Sequence, residues 1–141
     1  MKTWVRTVSL LLVIVMILPL SASAMGISPY ASNYFMSHST YLRESSSTSF
    51  KVWFTVTAVG TMTKLGVDYI DIERSSDGTN WSVVKTYTKE NYSGLVASNT
   101  TFHSGSVTYS SMSSSYQYRA YVHFYAKNSS GTATYGAYAY F

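Results

Sequence analysis

YQYRAYVHFYAKN, residues 116–128, alternates more regularly than any other part of the chain. Its even positions, Tyr116, Tyr118, Ala120, Val122, Phe124 and Ala126, form one apolar face; its odd positions, Gln117, Arg119, Tyr121, His123, Tyr125 and Lys127, form the other. Successive strand side chains point to opposite sides of a sheet, so the segment reads as a central antiparallel strand with one face buried.

The neighbouring segments read as strands laid against it. Residues 49–59, SFKVWFTVTAV, put Phe50, Val52, Phe54, Val56 and Ala58 on one face, with Lys51, Trp53, Thr55 and Thr57 on the other. Residues 67–74 place Ile70 and Ile72 opposite Tyr69, Asp71 and Glu73; Asp77-Gly78 then supplies a tight hairpin into a returning strand at 81–88. An edge strand is expected within 34–43 and a short strand at 102–110. Asn128-Ser-Ser-Gly131 turns the chain into a last strand at 132–141. Gly60 and Gly66 bracket a connection in which Met62 and Leu65 close one end of the core, and 89–101 is a loop or weak strand change. Gly136 marks a bulge or a close neighbour in the last strand. About seven short strands and no helical period beyond the N-terminus give an all-β fold, an antiparallel two-sheet sandwich.

The N-terminus is set apart from this domain. Lys2 and Arg6 precede an apolar run at residues 8–20, and Ala22-Ser23-Ala24 offers small residues where a signal peptidase reads them. The run is shorter than the roughly 20 residues that span a bilayer, so residues 1–24 are expected to be a cleaved signal peptide. Residues 25–141 are then a single β-sandwich domain, secreted and without a stable membrane span. Once Lys2 and Arg6 are removed, eight basic residues face six acidic ones, scattered along the chain, which argues against a nucleic-acid partner. The chain has no cysteine, which excludes disulfides, thiolate zinc sites and a lipid-modified thiol, so packing alone must hold the domain together.

IERSSDGTNWSVVKTYT at 72–88 and YQYRAYVHFYAKNSSGTATY at 116–135 resemble the fibronectin type III and immunoglobulin-like sandwich. In that superfamily an Asp-Gly-x-x-Trp turn follows a strand ending in Arg-Ser, and an Asn-x-x-Gly hairpin follows a Tyr-x-Tyr-Arg strand. The resemblance implies that Tyr116 is the corner tyrosine whose hydroxyl caps a neighbouring turn, with Tyr118 and Ala120 in the core. The N-terminal third departs from this pattern. The whole chain also resembles small uncharacterised secreted proteins of Gram-positive bacteria. Neither resemblance implies a catalytic residue.

Chemistry-bearing residues are sparse. His38, His103 and His123 stand on three different elements without metal-ligand spacing. Asp68, Asp71, Glu73 and Asp77 make a local acidic stretch, but the spacing of a calcium loop is missing and alternation separates Asp68 from Asp71 and Glu73. No Gly-x-Ser-x-Gly elbow occurs. Four Asn-x-Ser/Thr acceptors, at Asn80, Asn91, Asn99 and Asn128, matter only in a eukaryotic source. Neither a catalytic residue, nor a metal site, nor a cofactor is expected.

Fourteen tyrosines among few charges require some rings to lie on solvent faces. Trp53, Tyr121 and Tyr125 are the first candidates for ligand contact, with Tyr135 next, because each falls opposite its strand's core positions. Flat rings on a sheet stack on sugars or centre a protein interface; equally, cross-strand ring pairs can simply stabilise an exposed sheet. The expectation is a secreted, non-enzymatic binding or surface-associated module whose partner is an extracellular protein or glycan. Three alternatives stay open: a carbohydrate-binding module, a protein that self-assembles through the uncharged edge at 132–141, and a small secreted hydrolase.

Overall fold

Phe50, Val52, Phe54, Val56 and Ala58 all point inward, as the alternation requires, but the strand they belong to does not stop at Gly60. It runs on as one 27-residue strand, β2 (Ser49–Ser75). The computed structural model describes residues 33–141, so the expected signal peptide at 1–24 lies outside the described residues. Around β2 stand β1 (Phe35–Ser46), β3 (Ser82–Thr88), β4 (Val96–Tyr109), β5 (Gln117–Asn128) and β6 (Gly131–Tyr140), all antiparallel. No helix among the described residues is long and apolar enough to cross a membrane.

The six strands form one sheet that curls on itself, and β2 belongs to both halves of it. Its first part pairs with β1 on one side and β4 on the other. Its last part pairs with β3 and β5, and β5 carries β6. Counting β2 once in each half gives a three-strand layer against a four-strand layer, a sandwich-like all-β fold. The layers meet through Phe50 and Tyr118, whose ring centroids are 5.5 Å apart, and through His38, whose ring lies 5.0 Å from Phe124 and 4.2 Å from Tyr135. Burial between the layers lowers the His38 pKa by desolvating its charged form.

Between the two halves the inward face of β2 changes parity twice. Against β4, the register jumps between Thr57 and Met62; Met62 still faces inward, and the parity changes before Leu65 and Val67, which are buried as well. Against β5, Asp68 is an extra residue between Val67 and Tyr69, a β-bulge after which Ile70 and Ile72 face the core. The connection expected at 60–66 is therefore continuous strand. Met62 and Leu65 are buried as expected, but inside the spine.

The largest further share of the core comes from β5, where Tyr118, Ala120, Val122, Phe124 and Ala126 are all buried. Tyr87 on β3 ties the layers together: its hydroxyl donates to the carbonyl of Thr108 on β4 at 2.7 Å, and burial pushes its pKa up to about 12. The expected loop at 89–101 resolves into a 3-10 turn, Ser93–Leu95, and the start of β4; Leu95 plugs the core. The tyrosine hydroxyl that caps the neighbouring turn belongs to Tyr118, where the resemblance implied Tyr116. That hydroxyl accepts the N–H of Ser113 at 3.0 Å, while Tyr116 is exposed, with the Arg74 guanidinium 4.5 Å from its ring centroid.

At Gly66 the backbone has φ +155°, and a Cβ there would sit 2.0 Å from the Leu95 carbonyl oxygen. Gly66→Ala should therefore lower stability by about 2 kcal/mol or more, from backbone strain and the clash with Leu95 together. Gly60 has nothing within 4 Å of such a Cβ, and Gly60→Ala should be neutral or slightly stabilising. Urea unfolding of the two variants checks this contrast; equal losses would mean that the close approach at Gly66 does not exist.

Candidate functional site

The odd positions of β5 project from the outer face of the four-strand layer, and the pairing registers determine what stands beside each. Arg119 lies between Glu73 on β2 and Tyr140 on β6; Tyr121 between Asp71 and Tyr138; His123 between Tyr69 and Gly136; Tyr125 between Gly66 and Thr134. Neighbouring side chains on one face of a sheet touch, so these four rows make a continuous surface.

That surface is mostly rings. Tyr121 lies 6.1 Å from Tyr69 and 4.9 Å from Tyr138, and Tyr138 lies 6.0 Å from Tyr140, measured between centroids. His123 stacks on Tyr69 at 4.7 Å. Burial, followed by the nearby Tyr121 and Asp71, raises the Tyr69 pKa, so its hydroxyl stays neutral. On the edge strand Tyr138 is 43% exposed and Tyr140 is 61% exposed. The row thus runs from half-buried rings at the centre to open ones at the edge strand.

Most charges at the centre of this face are already engaged. Arg119 Nε donates to Glu73 Oε2 at 2.5 Å, and its guanidinium lies 4.3 Å from the Trp81 ring centroid and 4.4 Å from that of Tyr138. Lys89 pairs with Asp68 at 2.5 Å and lies 4.1 Å from the Tyr125 ring; its hydrogen bond to Asp68 raises its pKa. Thr86 donates its hydroxyl to Asp71 at 2.5 Å. The Asp68 bulge also brings its Oδ2 within 3.6 Å of His123 Nδ1, an ion-pair separation rather than a hydrogen bond; that buried nitrogen has no hydrogen-bond partner among the described residues.

The acidic stretch of the sequence is dispersed rather than gathered. Asp68, Asp71 and Glu73 hold Lys89, Thr86 and Arg119 respectively. Asp77 caps its own turn, accepting the N–H groups of Thr79 and Asn80, each at 2.8 Å. Those backbone donors, Asn80 first, hold its carboxyl well below the usual carboxylate range. The three histidines are likewise apart: His38 is between the layers, His103 Nε2 is 2.8 Å from the Gly94 carbonyl, and His123 is on the outer face. Among the described residues no three His, Asp or Glu side chains are grouped to hold a metal ion.

Of the sequence candidates, Tyr121 and Tyr125 share this face, both half-buried. Trp53 does not join them. It stands on the outer face of the other layer, stacked on Tyr41 at 6.4 Å, with the Lys51 ammonium 5.6 Å from its ring. Tyr135 turns inward, packed against the core beside His38. Sequence reading missed Tyr69, Tyr138, Tyr140 and Trp81. Counting back from the Asn128–Gly131 turn would have paired Tyr121 with Tyr138. No protein-family model matches the chain, and no curated protein or solved structure matches it significantly.

Gly136 is what lets Tyr121 lie flat. A Cβ at Gly136 would fall 1.9 Å from the Tyr121 hydroxyl oxygen, so the ring covers the glycine on the neighbouring strand. The register of β5 on β6 shows no shift there, so the close neighbour, not a bulge, accounts for this glycine. Gly136→Ala should cost about 1–3 kcal/mol in the native chain and much less in a Tyr121→Ala background. A double-mutant cycle by denaturant unfolding measures the coupling; additive losses would mean that the ring does not rest on Gly136.

Proposed function

We propose that the chain is a secreted, non-enzymatic binding module, a fibronectin type III-like sandwich that meets an extracellular protein or glycan with the outer face of β5. The observation that carries this reading is the unbroken ring row Tyr69, Tyr121, Tyr138 and Tyr140, which opens to solvent at the edge strand. Aromatic side chains that are held in place but still accessible contribute most per residue to recognition, because little freedom remains to be lost on binding.

The engaged charges support a binding role over a hydrolytic one. A general acid or base needs a carboxylate or imidazole available to a substrate, whereas the acids on this face hold Lys89, Thr86 and Arg119. Three against four strand segments, with the Tyr118 hydroxyl folded back on Ser113, support the immunoglobulin-superfamily reading. The leader-like residues 1–24 support export.

The test is retention of the secreted chain on insoluble cell-wall polysaccharide, peptidoglycan and mucin, or capture by a surface protein of the source cell. Tyr121→Ser with Tyr138→Ser should weaken retention by about tenfold or more, and Trp53→Ser should leave it unchanged. Retention that survives loss of both tyrosines would rule out this face as the contact surface.

A further inference from the structure

The ring row does not end at Tyr140. That side chain also lines a cleft of about 570 Å³ at the end of the sandwich, shared with Glu44 from the end of β1, Trp81, Ser113, Tyr116 and Gln117. Its volume falls within the roughly 300–1,000 Å³ of small-ligand sites. The cleft is built from chain segments distant in sequence, and its walls are fixed. Arg119 lies 4.3 Å from the Trp81 ring and Arg74 lies 4.5 Å from the Tyr116 ring. Ser113 is held by its N–H bond to the Tyr118 hydroxyl at 3.0 Å.

The lining selects a ligand chemistry. Flat rings stand beside an amide, hydroxyls and one carboxylate, and among the described residues Glu44 takes part in no ion pair. A lipid chain would use the rings but make nothing of the carboxylate, the amide and the hydroxyls. An anion would face Glu44, while Arg119 is committed to Glu73. A neutral sugar satisfies all of them: its C–H faces stack on the rings, its hydroxyls donate to the Glu44 carboxylate, and Gln117 both donates and accepts.

We infer that this cleft binds a terminal unit of a neutral saccharide, and that the outer-face rings continue the site along the chain leading away from it. The inference rests on the proposed extracellular ligand and shares Tyr140 with that face, but Glu44, Trp81 and Gln117 decide it.

Calorimetric titration of the secreted chain with two- and three-unit neutral oligosaccharides of glucose, N-acetylglucosamine and xylose tests it, with a uronic-acid oligosaccharide as the anionic control. One neutral series should bind. Glu44→Ala, an exposed position, should weaken that binding by about tenfold, the loss expected for hydrogen bonds to a charged group. Trp53→Ser, on the outer face of the other layer, should leave oligosaccharide binding unaffected. Binding of none of the neutral series, tighter binding of the uronic acid, or an unchanged affinity in Glu44→Ala would each overturn the inference. If polymer retention still depended on Tyr121 and Tyr138 in that event, the contact face would stand without the cleft. Oligosaccharide binding with retention indifferent to those tyrosines would leave the cleft and remove the face.

Discussion

One strand hydrogen-bonds to four others, and the placement of everything else follows from it. β2 is 27 residues long, several times the usual strand, and its two ends serve opposite layers of the sandwich. A strand of that length cannot stay straight within a curled sheet. The irregular stretch after Thr57 and the Asp68 bulge are where it bends, and each resets which side chains face inward. The large fully buried residues Phe50, Phe54, Leu65, Ile70 and Ile72 all lie along it. At roughly 1.5–3 kcal/mol per buried side chain of this kind, this one strand supplies a large share of the hydrophobic stabilisation of a chain without disulfides.

The same bend prepares the outer face. By inserting one residue, the bulge turns Tyr69, Asp71 and Glu73 outward, level with His123, Tyr121 and Arg119 on β5. Asp71, Glu73 and Arg119 there meet partners across the strands, and the tyrosines fill the spaces between. Acids held by neighbours and rings held in place are what support the contact role proposed above. Gly136 completes it, because only a glycine leaves room for the Tyr121 ring to lie across the edge strand.

Strand alternation is a local signal, and it made the local features legible. The inward residues of 50–58 and 118–126 and the outward positions of Tyr121 and Tyr125 follow from period-two reading, and the Asp77 and Asn128 turns from their turn residues; Tyr116, read as inward, is exposed. The spine was hidden because its alternation breaks twice, and a break in period looks the same whether the chain turns or bulges. Trp53 was grouped with Tyr121 for a related reason: alternation tells which side of its own strand a residue occupies, not which layer the strand joins. Tyr135 and Tyr138 differ by an odd number of positions, so assigning one outward reversed the other. The cleft had no sequence signal at all, since Glu44, Trp81, Gln117 and Tyr140 meet only after the two layers close.

Native-state hydrogen exchange along β2 addresses the central point, that one continuous strand couples both layers. The amides of Phe54 in the first half and Ile70 in the second should exchange only through complete unfolding, with equal free energies and equal denaturant dependence. A lower free energy for either half, reached by partial opening while the other stays protected, would show that the layers are independent units joined at residues 58–62 and would contradict the account.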